Sequence, residues 1–366
     1  MELQANTLNV YDHIIEHGLT AEITSFLSLT DCGGTNASTR IDFGNGTYWF
    51  YKQAQVDFRT GAFSMRVDRE GWFYERVYRR ASIKHLRTFI PYFIHYSRKN
   101  HALILRYLEE WETLSAYYRR IGRYPTTIAS SIADLLASVH QNSFAHPEKY
   151  KDFCDAAERR PTQFVEAIPT PEAVAEFPQF GLKLISLLQR HPRLVVALAE
   201  LKAKWQPMCL IHNDVKSDNF LKPVRRVRQK QVSLILLDWE FWDWGDPAWD
   251  IGAALGDYLW IWLGSLNIVK GQSVKEWFTT AKIPFERVKK AMHTLWARYV
   301  KLCRAIVYQR CEMPKLVVQH AGMFLLSRVM MTLMDGSDLT VRNLCIMQVA
   351  KNLLEHPEEQ ARLVLG

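Results

Sequence analysis

Two short stretches of the chain hold side chains whose types and spacing could do chemistry. "HNDVKSDNF" (212–220) places a histidine, two aspartates and an asparagine directly after an apolar run. "LLDWEFWDWGDPAWDIG" (236–252) places Asp238 at the end of a strand-like apolar run, 19 residues after Asn219. Such groups could serve a metal cage, a phosphate-handling loop or ordinary turns. Turn chemistry accounts for one Asp or Asn, but not for this density beside apolar strands.

Calcium is a poor fit for the first stretch, although "DVKSDN" starts like a calcium-binding loop. Lys216 falls at the third ligand position and Asn219 replaces the glycine that the loop requires. Arg225 stands where the bidentate glutamate belongs. A cation bound there would meet two positive charges, so we exclude a calcium site.

Phosphoryl transfer suits both stretches together. The spacing is His-x-Asp-x4-Asn, followed by an aspartate at the end of a strand. Asp214 can accept the proton of an attacking hydroxyl, while Asn219 and Asp238 can hold the Mg²⁺ ions that bridge the phosphates of ATP. Oxygen ligands suit Mg²⁺, which keeps several waters and takes few protein ligands.

These two motifs resemble the aminoglycoside phosphotransferase/choline kinase-like family, whose members are small-molecule kinases. "HNDVKSDNFL" is similar to the family's catalytic loop, and "LLDWEFWDWGDPAWDIG" to its metal-binding segment. A weaker similarity extends over about residues 29–255. The resemblance implies an α+β, two-lobed protein-kinase-like fold. It also implies ATP or GTP as co-substrate and Mg²⁺ as cofactor.

The resemblance further implies a nucleotide-binding N-terminal lobe. A glycine loop should cover the phosphates, and "GGTNAST" offers Gly33, Gly34, Thr35 and Asn36 between strand-like runs. Backbone amides approach phosphate closely where side chains are absent. A plain hairpin turn explains the same residues equally well.

A lysine on the third strand should bind the α- and β-phosphates and pair with a glutamate on a helix. Lys52 in "YWFYKQA" fits that position, and the open alternative is an edge lysine with its head in water. Of two candidate glutamates on the helix expected at 67–80, Glu70 lies on the apolar face and Glu75 on a more polar one. We therefore expect Glu70 to be the partner. The adenine should meet backbone groups of the connector, namely Arg106, Tyr107 and Leu108.

Two residues are expected to support the catalytic loop without taking part in the chemistry. The resemblance implies that Asp250 braces the loop by hydrogen bonds and that His212 does the same. Asp246, which precedes Pro247, fits a surface turn or a place in the site equally well.

The elements that must position these residues change type along the chain. Residues 22–54 and 101–108 favour strands, with a hairpin signal in the Gly-Asn-Gly turn at 44–46. After about residue 111 the periodicity is helical, with Ile128, Ile132, Leu135, Leu136 and Val139 on one face. We therefore predict a β-rich lobe over 1–108 and a mostly helical lobe over 109–366. The apolar run 251–269 is predicted to be a buried helix rather than a membrane span, because Asp257 lies within it.

Composition agrees with a globular protein of two lobes. The 366 residues are 48% hydrophobic and 12% aromatic, and the formal charge of +8 favours anionic partners. No RNA- or DNA-binding motif supports a nucleic-acid partner, and none is expected. The six cysteines show no CxxC pair, which predicts reduced, buried thiols. With no recognisable signal peptide at the start, we expect a cytoplasmic protein without a membrane partner.

The acceptor is predicted to be a small hydroxylated molecule. Eleven residues separate Asp238 from Asp250, which leaves no room for the peptide platform of a protein kinase. Choline, ethanolamine or thiamine remain alternatives, because six of the 12 tryptophans fall between 239 and 262 and could form an aromatic cage. Core packing explains those tryptophans more simply. The basic run 222–230 is predicted to be a solvated hairpin tip.

A different reading is a non-catalytic nucleotide-binding protein. The joint presence of Lys52, Asp214, Asn219 and Asp238 argues against it, because a scaffold has no need of a base. Oligomeric state and nucleotide preference are left open by the sequence.

Overall fold

A computed structural model describes residues 10, 14, 16, 18–19, 28–33, 37–55, 65–159, 179–224, 233–334 and 337–366. The chain divides into two compact units. The first comprises Met1–Thr113, Asn219–Val227 and Ser233–Trp242, and the second comprises Leu114–Asp218, Arg228–Val232 and Asp243–Gly366.

The first unit is built on a five-stranded antiparallel sheet in the order β1-β2-β3-β5-β4. Its β-branched and aromatic residues favour strands, and the predicted turn at 44–46 joins β2 to β3. Asp42 and Asn45 accept backbone N–H groups within that turn. The strands are β1 (Ser28–Asp31), β2 (Ala37–Asp42), β3 (Tyr48–Gln53), β4 (Phe93–Ser97) and β5 (Ala102–Arg106).

Helix α1 (Met65–Arg79) carries its apolar residues on one face and packs against β4 and β5. Residues such as Phe73 and Tyr74 are fully buried on this face. A short 3₁₀ segment, Ala81–Thr88, follows α1. A buried cluster on the sheet, which includes Ile41, Trp49 and Ile104, forms the core of this unit.

A second, three-stranded sheet also belongs to the first unit. It pairs β6 (Trp111–Thr113) with β8 (Phe220–Pro223), and β8 with β9 (Ile235–Leu236), all antiparallel. The division predicted at residue 108 treated each lobe as one continuous range. In the structure this strand pairing brings 219–227 and 233–242 into the first unit, so the N-terminal unit is discontinuous in sequence.

The second unit is mostly helical. One small antiparallel sheet pairs β7 (Cys209–Ile211) with β10 (Asp243–Gly245). The described helices are α2 (Leu114–Ile121), α3 (Thr126–Ala145), α4 (Lys151–Ala156), α5 (Gln179–Gln189), α6 (Pro192–Ala203), α7 (Pro247–Gly264), α8 (Val274–Thr279), α9 (Phe285–Leu302), α10 (Arg304–Gln309), α11 (Met313–Met334), α12 (Val341–Glu355) and α13 (Pro357–Val364).

Helices α7 and α11 pack together at the centre of the second unit. The predicted buried helix at 251–269 is α7, which ends at Gly264, and Asp246 caps its first turn by accepting the Ala248 N–H at 3.0 Å. A Cβ at Gly252 would lie 2.7 Å from the Val317 carbonyl oxygen, so glycine lets the two helices approach closely. In the described part of the chain, α11 is the one helix that is long and apolar enough to span a membrane, and it is largely buried.

The predicted order of a strand-rich region followed by a helical one is confirmed, as is the buried face of α3. The six cysteines form no disulfide, but the prediction of buried thiols is wrong for Cys32 and Cys311, which are exposed, and for Cys154, which is half-buried. The predicted solvated hairpin tip, 222–230, lies mostly outside the described residues, which end at 224 and resume at 233. Lys222 at its start is buried, with its ammonium 3.3 Å from Glu112 on the paired strand β6.

Candidate active site

Lys52 lies near the end of β3, where the register with β2 and β5 fixes its side chain on the sheet. It is buried, and its ammonium contacts three carboxylates. Nζ lies 2.7 Å from Glu70 Oε2, 2.9 Å from Glu240 Oε2 and 3.2 Å from Asp238 Oδ1. We refer to Lys52, Glu70, Asp238 and Glu240 as the lysine cluster. The whole cluster lies within the first unit.

The helix glutamate that contacts Lys52 is Glu70 and not Glu75. Glu70 is fully buried on the apolar face of α1, whereas Glu75 forms an ion pair with Arg79 one turn further along the helix. The face assignment made from helical periodicity therefore agrees with the structure.

Among the described residues, the lysine cluster brings three carboxylates to one ammonium, and the guanidinium of Arg66 lies 3.9 Å from Glu240. Burial lowers the pKa of Lys52, but the three carboxylates outweigh this effect and the pKa rises, so the lysine stays charged. Burial raises the pKa of Glu70 to about 7, against the attraction of Lys52. A cluster of this kind attracts further positive charge.

Asp238 and Asn219 end up beside each other because β8 and β9 are paired. The Leu237 N–H donates to the Asn219 carbonyl at 2.8 Å, next to Asp238. Asp238 has a left-handed backbone (φ 57°, ψ 57°), a conformation that Asp tolerates better than most residues. Its side chain remains 45% exposed while the other cluster members are buried.

These oxygen groups fit Mg²⁺ better than they fit a transition metal. The described residues contain no group of three or more His, Cys, Asp or Glu side chains that could hold a metal ion. Mg²⁺ needs no such cage, because it binds one or two carboxylates together with waters and substrate phosphates. The exposed Asp238 carboxylate and the neighbouring Asn219 provide ligands of that type.

In the second unit, Asp250 of α7 holds the backbone of the catalytic loop. Its two carboxylate oxygens accept the N–H groups of His212 at 2.8 Å and Asn213 at 2.9 Å. His140 lies 3.2 Å from the same carboxylate and 2.9 Å from the Tyr299 hydroxyl. All of these groups are buried, so the loop is fixed by a network that is satisfied internally.

The loop presents Asp214 just after a residue in a strained conformation. Asn213 has φ 69°, a left-handed value, and its carbonyl accepts the indole N–H of Trp249. His212 is fully buried, and its Nδ1 accepts the Asp214 N–H at 3.2 Å. The Asp214 carboxylate forms an ion pair with Lys216 at 2.7 Å.

The glycine loop is described only in part. Gly33 follows β1 with φ 68°, and its N–H donates to Asp31 at 2.8 Å. The other three predicted residues, Gly34, Thr35 and Asn36, lie outside the described residues. The loop joins β1 to β2, which pair antiparallel, so its place between two strands matches the prediction.

The connector after β5 has most of its backbone groups engaged. The N–H of Arg106 donates to Tyr92, the N–H of Tyr107 donates to Tyr48, and the carbonyl of Leu108 accepts from Trp111. The Leu108 N–H donates to no described residue. A cleft of about 530 Å³ runs along this connector within the first unit.

The tryptophans between 239 and 262 are mainly core residues. All but Trp260 are buried, and the rings pack on protein neighbours. Trp239 stacks on Phe73 with ring centres 4.3 Å apart, and Trp262 packs on Phe285 at 4.6 Å. The guanidinium of Arg328 lies over the half-buried Trp260 at 5.2 Å. The simpler of the two predictions, core packing, describes these residues.

Sequence reasoning missed several charged residues near these groups. Glu240 lies inside a quoted motif, and a carboxylate two residues after Asp238 could have drawn attention to it. From the sequence, Lys216 counts only as evidence against a calcium site. Asp246 is neither a surface residue nor part of the lysine cluster, because it is buried and forms an ion pair with Arg310 at 2.7 Å. No motif marked Arg310 or Arg328.

Comparisons with known proteins agree with this architecture. The model of the phosphotransferase enzyme family matches residues 95–268. A comparison with curated protein sequences gave no match. An ethanolamine kinase from Plasmodium vivax has a similar structure, with a TM-score of 0.51 and 12% identity over 96% of this chain and 88% of that one.

Two further solved structures are similar. A mutant of aminoglycoside 2′-phosphotransferase IIIa in complex with GDP gives a TM-score of 0.50 at 15% identity, covering 97% of this chain and 98% of that one. A choline/ethanolamine kinase family protein from Mesorhizobium loti gives 0.49 at 15% identity, covering 98% and 97%.

The family match and the fold support a phosphotransferase of the kinase type with a protein-kinase-like fold, as predicted. Residues 95–268, which contain both motifs, match the model of the phosphotransferase enzyme family, in agreement with the resemblance recognised in the sequence.

Proposed function

We propose that the protein transfers the γ-phosphate of ATP or GTP to a hydroxyl group of a small molecule. The observation that carries the proposal is the lysine cluster. A buried lysine held by a helix glutamate, with Asp238 and Asn219 alongside, forms a binding site for a triphosphate tail and its counterion. A nucleotide co-substrate is in keeping with the GDP-bound phosphotransferase of similar fold.

Each residue of the first unit takes a distinct role in this proposal. Lys52 binds the α- and β-phosphates, and Glu70 holds the ammonium in place. Asn219 and Asp238 would hold Mg²⁺, which would neutralise phosphate charge. Gly33, Gly34, Thr35 and Asn36 cover the phosphates through backbone N–H groups.

The adenine base is proposed to bind at the connector after β5. Because the N–H groups of Arg106 and Tyr107 are engaged within the sheet, we assign the adenine contact to the Leu108 N–H, the donor that pairs with no described residue. A ring nitrogen is a suitable acceptor for such a group. The cleft along the connector provides space for the base.

The second unit contributes the general base. Asp214 takes the proton of the acceptor hydroxyl, while the oxygen of that hydroxyl forms a bond to the γ-phosphorus. The bond from that phosphorus to the bridging oxygen breaks, and its electron pair stays on the departing nucleoside diphosphate. Asp250 and His212 keep the loop in position through the hydrogen bonds described above. Such catalysis consists mainly of positioning and charge stabilisation.

The test is Mg²⁺-dependent release of nucleoside diphosphate in the presence of a panel of alcohols, amino alcohols and hydroxy acids. Asp214→Asn should still bind nucleotide but lose turnover by about 10²–10⁴-fold, the usual contribution of a general base. Asp218→Asn is the matched control, because Asp218 lies in the same loop but is exposed.

Full activity of Asp214→Asn would overturn the assignment of the base. If the wild-type protein binds nucleotide and turns over no alcohol, the non-catalytic reading of the sequence is the correct one. The amino alcohols in the panel address the choline- and ethanolamine-type alternative, which the similarity to an ethanolamine kinase suggests.

A further inference from the structure

Helix α1 and residues 238–242 hold each other through a reciprocal pair of contacts. The Arg69 guanidinium donates to the Trp242 carbonyl at 2.6 Å, and the Trp242 indole N–H donates to the Arg69 carbonyl at 3.1 Å. The same guanidinium lies over the Trp242 ring, 4.4 Å from its centre. The side chain of each residue therefore binds the backbone of the other, and we call this pair the clasp.

The surroundings of the clasp strengthen it. Trp242 is fully buried and Arg69 is half-buried, so water competes little for their hydrogen bonds. Trp72, three residues further along α1, stacks on the Trp242 ring with the ring centres 5.1 Å apart. A hydrogen bond from a charged donor and a desolvated cation–π contact are the stronger forms of these interactions. The clasp is therefore a specific joint between two elements.

Each half of the clasp adjoins a carboxylate of the lysine cluster. Arg69 directly precedes Glu70 in α1. Trp242 directly follows the 3₁₀ turn that Asp238 begins and that contains Glu240. Glu70 reaches the cluster ammonium from the helix at 2.7 Å, while Glu240 reaches it from the turn at 2.9 Å. The clasp thus joins the two elements that bring carboxylates to one ammonium, and both lie in the first unit.

Two features of the cluster explain why such a joint is needed. The three carboxylates repel one another, and burial raises the pKa of Glu70 to about 7. Asp238 has a left-handed backbone, which is costly unless the surroundings hold it. Gly71 secures α1 on its sheet side, because a Cβ there would lie 2.2 Å from the ring of Tyr96 on β4. The clasp supplies the corresponding hold toward residues 238–242.

We propose that the two clasp residues, Arg69 and Trp242, are positioning residues that keep the lysine cluster assembled before a nucleotide binds. The inference rests on the proposed phosphotransfer and specifies how its phosphate site is formed. In this role the clasp touches neither the phosphates nor the metal ion, and it acts through the cluster. Because the site is already formed in the free protein, nucleotide affinity is not reduced by a low population of the competent state.

The reactivity of the Lys52 amine reports on the cluster and requires neither nucleotide nor acceptor. A trace of acetic anhydride acetylates neutral amines, and mass spectrometry of the peptides gives the rate at each lysine. Burial lowers the pKa of Lys52, but the carboxylates outweigh this effect and raise it. Lys52 should therefore react far more slowly than the exposed Lys84, the internal reference. Opening the clasp should speed the reaction about tenfold or more, because losing one carboxylate lowers the amine pKa by about one unit.

Two single variants open the clasp in different ways. Arg69→Met removes the donor and the cation, whereas Trp242→Phe keeps an aromatic ring but removes the indole N–H. Both should speed acetylation of Lys52 and weaken binding of Mg²⁺–ATP in calorimetry, by about tenfold if the competent state falls to about a tenth of the population. Arg69→Lys keeps the charge and should restore part of both. The double variant should resemble the more severe single variant, because both residues belong to one interaction.

Two control variants separate positioning from a general loss of stability. Arg79→Met removes an exposed arginine of the same helix, and Trp262→Phe removes an indole N–H from a buried tryptophan of the second unit. Neither control should change the reactivity of Lys52 or the nucleotide affinity. Thermal melts establish that each protein is folded, and Trp242→Phe carries the test if Arg69→Met is not.

Faster acetylation and weaker nucleotide binding in the clasp variants, with unchanged controls, would support the inference. It is overturned if Lys52 of a folded clasp variant reacts at the wild-type rate, or if Trp262→Phe speeds the reaction equally. Faster acetylation with unchanged nucleotide affinity also overturns it, because the phosphate site would then not depend on an assembled cluster. Absence of nucleotide binding by the wild-type protein would instead overturn the proposed function, and the acetylation rates would still show whether the clasp holds the cluster.

Discussion

The two units bury their charged side chains in different ways. In the second unit, Asp246 pairs with Arg310, and the two oxygens of Asp250 accept the N–H groups of the catalytic loop. These carboxylates are satisfied by protein groups. In the first unit, the described residues bring three carboxylates to the one ammonium of Lys52, which makes this cluster unbalanced as far as the structure describes it. Balanced groups hold the backbone in place, whereas a cluster that is unbalanced in this way is suited to bind a further cation.

The sharpest test of the balanced network is Arg310→Met. It would leave Asp246 as an unpaired charge that is fully buried, and removing one partner of such a pair costs about 3–5 kcal/mol of stability. Urea unfolding measures the loss, with Arg304→Met as the exposed control. Nucleotide affinity of the folded variant should not change. A loss below about 1 kcal/mol, the effect of an ordinary substitution, would mean that the pair does not act as a structural clamp.

Removing the positive charge from the unbalanced lysine cluster should lower the phosphotransferase activity. Lys52→Met removes the positive charge assigned to the phosphates, and turnover should fall about 10²–10³-fold, the usual effect of losing one electrostatic contact to the reacting group. Nucleotide affinity, measured by calorimetry, should fall as well. Lys84→Met, an exposed lysine of the same unit, is the control. If turnover and affinity were unchanged in Lys52→Met, the balanced and unbalanced networks would not differ in function.

A smaller and pH-dependent effect is expected at Asp257, which is buried without a cationic hydrogen-bond partner. Burial raises its pKa from 3.8 to about 6. Between these values the folded state holds a proton that the unfolded state has lost, so the contribution of Asp257 to stability falls as pH rises from about 4 to 6. Asn does not titrate. The stability of Asp257→Asn relative to wild type should therefore increase across this window, by up to about 3 kcal/mol.

Urea unfolding of both proteins at several pH values measures this difference. The Ser217 N–H keeps an acceptor in the amide oxygen of the variant, which limits other effects of the substitution. A difference that stays constant from pH 4 to 6 would show that Asp257 titrates normally, and the second unit would then hold no strained carboxylate.

Local patterns allowed part of this arrangement to be predicted from the sequence. The helical period over 67–80 distinguishes Glu70 from Glu75, and the strand pattern places Lys52 on the sheet. The family resemblance supplied the expectation for Asp250. The discontinuous first unit was missed, because the pairing of β6 with β8 joins segments about 110 residues apart and leaves no local trace.

Two arginines that lie near buried groups could not be predicted from the sequence either. Arg310 and Arg328 lie at the end of one helix and in the middle of another, and neither belongs to a motif. Arg310 meets Asp246, 64 residues away along the chain, and Arg328 meets the ring of Trp260, both through tertiary packing. Hydrophobic periodicity predicts which helices are buried, but not which arginine finds a carboxylate.

Gly256 sets how closely α7 and α11 pack. A Cβ at this position would lie 2.7 Å from the ring of Phe324 on α11, so any larger residue must displace that ring or spread the two helices. Because Phe324 and Asp214 line the same small pocket, a substitution at Gly256 would reshape the space beside the loop while leaving every charged residue in place.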